Sequence, residues 1–140
     1  MASRPIFDTS AVIGYSEAVE NLYYSAVFAS IVFFELIATS TDNTTLKKYS
    51  RWRDALKKAD RILSPSENDI WEAGKAINRM YLNKIAPQSK LKTLRMDALI
   101  ARLAVKTKNF IVTVDTDDFE IIKKDMKQLV VVSASDFFGQ

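Results

Sequence analysis

The 140-residue chain contains no cysteine and no histidine. Without cysteine, disulfides and thiolate metal sites are excluded, and a reducing cytoplasm suits the chain better than secretion. Without histidine there is no Ser-His-Asp or Cys-His catalysis, no imidazole base and no His-ligated zinc. Acid–base or metal chemistry must rest on carboxylates, lysine, tyrosine, hydroxyls or bound water. A long apolar run is missing too. The N-terminus has no basic segment leading into an apolar stretch, and Asp8 stands where that stretch would be, so no signal peptide is expected. The most apolar window, residues 22–39, contains Ser25, Ser30 and Glu35 and reads as a buried strand running into a buried helix, not a membrane span.

What is present is ordinary in amount. Hydrophobic residues make up 48% and charged residues 26%, which suits a single globular domain over residues 1–140 with one core. Twenty basic and 17 acidic residues give a net charge of +3, too mild to indicate nucleic acid by itself. Its distribution says more. Residues 47–61 carry Lys47, Lys48, Arg51, Arg53, Lys57, Lys58 and Arg61 against Asp54 and Asp60. Residues 84–95 carry Lys84, Lys90, Lys92 and Arg95 with no acid. Basic surface flanking an acidic centre suits a polyanion approaching a metal-loaded carboxylate cluster.

Short apolar runs alternate with helical patterns. Strands are expected at Ile6-Phe7, 26–30, 61–63, 110–114 and 129–132. A helical turn is expected at 11–13, interrupted at Gly14. Longer helices are expected at 31–39, 46–60, from about 67 to 82, from Asp97 onward, and at 117–124, with 83–93 as a loop containing Pro87. Continuous apolar strands alternating with helices predict an α/β fold, a three-layer α/β/α sandwich on a mostly parallel sheet of about five strands. Ligands of such sheets bind beyond the strand carboxyl ends.

Four acids adjoin apolar runs: Asp8, Glu35, Asp97 and Asp115. A carboxylate at the edge of buried structure is costly unless compensated. Singly, Asp8 reads as a cap, Asp97 as a first-turn acid, and Asp115 with Asp117 and Asp118 as a solvated turn. Glu35 resists such a reading, because its apolar neighbours leave it no expected exposed stripe. Jointly, the acids suit Mg²⁺ or Mn²⁺, which take oxygen ligands, relieve carboxylate repulsion and activate water for phosphodiester hydrolysis.

Ile6-Phe7-Asp8-Thr9-Ser10, the run from Ser30 through Glu35 to Leu36, Asp97-Ala98-Leu99-Ile100-Ala101, and the run from Val112 through Asp115 to Phe119 resemble, in order and spacing, the PIN-domain nucleases. Among these the chain is most similar to the VapC-type toxins of toxin–antitoxin pairs. The resemblance implies an RNA-cleaving α/β/α sandwich with Mg²⁺ or Mn²⁺ held by Asp8, Glu35, Asp97 and Asp115, and by Asp118 at a more variable position. It implies supporting roles for Thr9, Ser30 and Thr113, a cognate antitoxin partner and a homodimer. The family's small residues before the helix-opening acid are replaced by Leu91-Lys92-Thr93-Leu94-Arg95-Met96, which bears on substrate choice. RNA phosphate contacts are expected from Lys47, Arg51, Lys92 and Arg95, with Tyr49 and Trp52 as stacking groups. The alternative for that helix is a solvated charged face over core aromatics. Three rival functions are an RNA-maturation or decay nuclease without an antitoxin, a receiver-like Mg²⁺-binding signalling domain, and a non-catalytic binding module. The receiver-like reading lacks a strand-end lysine.

Overall fold

The computed structural model describes residues 3–139. Its strands are β1 (Pro5–Phe7), β2 (Phe28–Ala29), β3 (Ile62–Leu63), β4 (Phe110–Thr113) and β5 (Val131–Ser133). All pairings are parallel. The strands form two ladders, β1-β4-β5 and β2-β3, joined at the single bridge Ile6–Val27. The expected five strands are therefore present, but they do not make one continuous five-stranded sheet. The expected strand at 26–30 shrinks to two residues because Ser30 already begins a helix.

The helices are α1 (Thr9–Gly14), α2 (Ser16–Leu22), α3 (Ser30–Ala38), α4 (Asn43–Lys58), α5 (Glu67–Leu82), α6 (Gln88–Thr93), α7 (Arg95–Thr107), α8 (Thr116–Lys123) and α9 (Ala134–Phe138). The segment 83–93, expected to be a loop, closes with α6. Pro87 stands at its N-cap, where a missing N–H costs nothing, and Leu91 and Leu94 anchor it in the core. Among the described residues no helix is long and apolar enough to cross a membrane.

The core is aromatic around β1 and β2. Phe7 packs edge-on to Phe28, Phe28 stacks on Phe33, and Trp52 meets Phe28, Tyr23 and Tyr49. Trp52 is fully buried and donates Nε1–H to Glu20, so its polar edge is satisfied while its ring fills the core. The reading of Tyr49 and Trp52 as stacking groups for RNA is thereby overturned: both belong to the core.

The chain runs outward from β1 to β2 and β3, then returns across β1 to β4 and β5. The direction in which successive strands are added reverses between β1 and β4, although the strands themselves stay parallel. A reversal of that kind opens a crevice at the strand carboxyl ends.

Candidate metal site

The acids meet in that crevice. Asp8, Glu35, Asp97, Asp115 and Asp118 line one cavity of about 510 Å³, together with Thr9, Ser10 and Phe119. Each acid comes from a different local cause. Asp8 follows β1 and is the N-cap of α1, with Oδ1 accepting from the Ala11 N–H at 2.9 Å. Asp115 follows β4 and caps α8, accepting from the Asp117 N–H at 3.1 Å. Asp118 lies in the first turn of α8, Asp97 lies in the first turn of α7, and Glu35 is mid-α3. The capping reading of Asp8 thus holds together with its place in the cavity, and Asp115, expected in a solvated turn, caps a helix as well.

Asp8 is the best held. Thr113, fully buried, donates to its Oδ2 at 2.7 Å, and Ser10 donates to its Oδ1 at 2.8 Å. Ser10 also accepts the Val114 N–H at 3.1 Å, tying the start of α1 to the end of β4. Thr9 donates to Glu35 Oε1 at 2.7 Å. Thr9 and Thr113 therefore contact acids of the set. Ser30 does not line the cavity.

Glu35 differs from expectation in its surroundings. Phe34 is 66% exposed and Ile37 46% exposed, so α3 does present an open stripe, and it is an apolar one. Among the described residues the large exposed apolar groups near the cavity also include Ile13 and Val114, both on its lining.

Burial pushes Asp8 above the ordinary carboxylate range, against its bonds from Thr113, Ala11 and Ser10, with Glu35 adding to the rise. Asp97 is pushed up to about 7, first by burial and then by the charges of Asp8, Asp118, Glu35 and Asp115. This is the signature of carboxylates crowded without enough positive charge.

The donors are all oxygen, from carboxylates and hydroxyls, which is the chemistry of a hard divalent cation. Among the described residues no three acidic side chains are drawn together tightly enough to hold an ion as they stand. Asp118 is turned to Lys90, whose Nζ is 2.6 Å from Oδ1.

The predicted phosphate contacts do not gather at this cavity. Lys47 and Arg51 line a separate groove with Thr44, Thr45 and Lys48, and Arg51 is paired with Glu20. Arg95 faces α5 in a groove with Ile70 and Ile77, and Lys92 is exposed on α6. The cation that reaches the acids is Lys90. It and Ser10 are the residues that sequence reasoning left out of the site. Lys90 sits in the acid-free basic stretch, but only the phase of α6 separates it from Lys92. Ser10 reads first as a cap.

No family model and no curated protein matches the chain. Solved structures do. VapBC2 of Rickettsia felis bound to a promoter DNA fragment is similar over 92% of this chain and 97% of the matched chain, with 18% identity and a TM-score of 0.59. DNA-bound VapBC of Salmonella typhimurium covers 95% and 99%, with 16% identity and a TM-score of 0.59. FitAcB of Neisseria gonorrhoeae covers 93% and 97%, with 16% identity and a TM-score of 0.58.

These findings correct the resemblance drawn from sequence. The likeness is to antitoxin–toxin complexes, and identities of 18% or less establish a shared fold and nothing finer. Assignment of the chain to the PIN-domain nucleases as a VapC-type toxin is therefore withdrawn: no family match carries it, and the complexes do not single out the toxin.

Proposed function

We propose that this protein is a metal-dependent endoribonuclease and one component of a toxin–antitoxin-type complex. The observation that carries the first part is the convergence of five acids from β1, α3, α7 and the β4–α8 junction on one cavity. Asp8, Asp97 and Asp115, with Glu35, would hold Mg²⁺ or Mn²⁺. The ion would supply Lewis-acid stabilisation of phosphoryl charge and a water of lowered pKa. Hydrolysis joins the water oxygen to phosphorus, breaks one P–O ester bond and passes a proton to the leaving oxygen. The chain's own part is to fix the acids: Thr113, Ser10 and the Ala11 N–H hold Asp8, and Thr9 holds Glu35. Such a nuclease works where RNA is, in the cytoplasm. The second part rests on the fold likeness to VapBC and FitAB complexes, and its partner is the other protein component of such a complex.

The test is cleavage of total RNA by the purified protein with Mn²⁺, Mg²⁺ or EDTA, beside Asp97→Asn. Cleavage that needs the metal and falls by roughly 10³-fold or more in the variant is the expected result. Parallel titration with duplex DNA covers the other component of such complexes. Tight DNA binding with no RNA cleavage would reject the nuclease. Cleavage by a protein that never co-purifies with a partner encoded beside it would favour RNA maturation or decay.

A second copy is the partner we assign to α5. Ile70 and Trp71 are 55% and 64% exposed there, beside a groove of about 610 Å³ that also runs past Gly74. Glu67 and Lys75 line the same groove, each four residues from Trp71. Two copies of α5 crossing antiparallel at Trp71 would bring Glu67 of each against Lys75 of the other, which is the self-complementarity a two-fold contact requires. Trp71→Glu should convert a dimer to a monomer in sedimentation velocity without changing the circular dichroism spectrum. A wild-type protein that sediments as a monomer at tens of micromolar rejects this assignment.

A further inference from the structure

We propose that Lys90 is a built-in cation of the acid cavity, which occupies Asp118 so that the site takes one divalent ion and which contacts substrate phosphate where a second ion would otherwise sit. The inference rests on the metal-dependent reading above and deepens it.

Three observations carry it. First, Lys90 is placed, not merely nearby. Its helix α6 is only six residues long, yet Leu91 and Leu94 on either side of its last turn are 2% and 0% exposed. The ammonium therefore projects from a segment pinned to the core. Second, its Nζ is 2.6 Å from Asp118 Oδ1, and Asp118 lines the cavity with the other four acids. Among the described residues this is the one ion pair made by any of those five acids. Third, the pair is open on the lysine side: the Lys90 side chain is 39% exposed and that of Asp118 25%. An incoming phosphate can reach the ammonium without displacing core residues.

The remaining acids divide unevenly. Asp8 takes three donors from the protein, and Glu35 takes one from Thr9. Asp97 lines the cavity with the other acids and, among the described residues, makes no ion pair, so the divalent ion is placed on the Asp8–Asp97 side. On the Asp118 side that need is already met by Lys90. Two-ion sites place their ions about 4 Å apart to clamp both the attacking and the leaving oxygen. A lysine ammonium is a compact charge with three donors and can take one of those two positions against phosphate.

The experiment is calorimetric titration of the metal-free full chain with Mn²⁺, for wild type, Lys90→Met and Lys90→Arg, with thermal unfolding as the folding control. RNA cleavage is then followed against Mn²⁺ concentration. Wild type should bind one Mn²⁺. Lys90→Met should bind two, and cleave on the order of 10²-fold more slowly at the Mn²⁺ concentration that saturates wild type, recovering as more Mn²⁺ is added. Lys90→Arg should keep one ion and at least about a tenth of the activity. Two ions on the wild type would overturn the inference alone, as would one ion on Lys90→Met with undiminished cleavage. No Mn²⁺ uptake by any of the three would overturn the metal-dependent reading, and this inference with it.

Discussion

Asp97→Asn should make the metal-free protein more stable at pH 8 while removing its activity. Asp97 is held near 7 in the folded chain against an ordinary value of 3.8. A carboxyl raised on folding favours the folded state only while protonated. Its contribution is fully present below about pH 3.8 and is lost progressively as pH rises to about 7, after which the penalty is constant. At pH 8 that penalty is on the order of 4 kcal/mol, at about 1.4 kcal/mol per unit. Asparagine keeps the shape and carries no charge. For a domain of this size its melting temperature at pH 8, with EDTA present, should exceed wild type by roughly 10 °C. The difference should shrink toward zero near pH 3.5. Mn²⁺ should narrow the difference. An ion bound at a hundredfold its Kd adds about 2.7 kcal/mol to wild type and little to a variant lacking one ligand. A variant less stable than wild type at pH 8 without metal would show that Asp97 is not crowded as the cavity implies.

Legibility in the sequence followed the strength of the local signal. Phe110 to Thr113 and Ile6-Phe7 are short, continuous apolar runs, and both became buried parallel strands within a residue of expectation. A hydroxyl directly before Glu67 is as plain a helix-start signal, and Ser66 forms a reciprocal capping box with Asp69. Helices α2, α6 and α9 were not read, because five to seven residues give too few turns for a period to show. Glu35 failed for another reason. Phe34 and Ile37 look like core residues in a sequence, and only the fold decides that they face outward. Asp8, Glu35, Asp97 and Asp115 line one cavity because strand ends and helix starts share an edge in parallel sheets. The basic side was misplaced. Lys47, Arg51 and Arg95 are charged surface on other faces, and which lysine of α6 turns inward depends on a helix that the Pro87 segment hid. The family assignment went further than motif order could carry.

Asp69→Ala should cost about 3 kcal/mol and lower the melting temperature by roughly 10 °C, although it lies outside the acid cavity. Asp69 is 0% exposed and accepts from Arg102 Nε at 3.1 Å and from Lys106 Nζ at 3.0 Å. Oδ2, the oxygen that Lys106 reaches at 3.0 Å, also takes the Ser66 N–H at 2.9 Å, closing the α5 cap. Burial alone would raise this carboxyl, but the Ser66 N–H, Lys106 and Arg102 outweigh it and hold it well below the usual range. Arg102 and Lys106 belong to α7, the helix that carries Asp97 in its first turn. One buried carboxylate thus fixes the start of α5 and its packing on α7, and through α7 the position of Asp97. Arg102 and Lys106 remain partly exposed, so the alanine variant leaves no cation stranded in the core, which keeps the cost at the low end for a broken buried pair. The stabilisation is present above the ordinary aspartate range and is lost as pH falls toward the depressed folded value. Wild type and Asp69→Ala should therefore converge in chemical denaturation between about pH 6 and pH 2, whereas Asp97→Asn and wild type diverge as pH rises. Opposite slopes from two aspartates on adjoining helices would separate the acid that holds the scaffold from the acid that the scaffold holds in place.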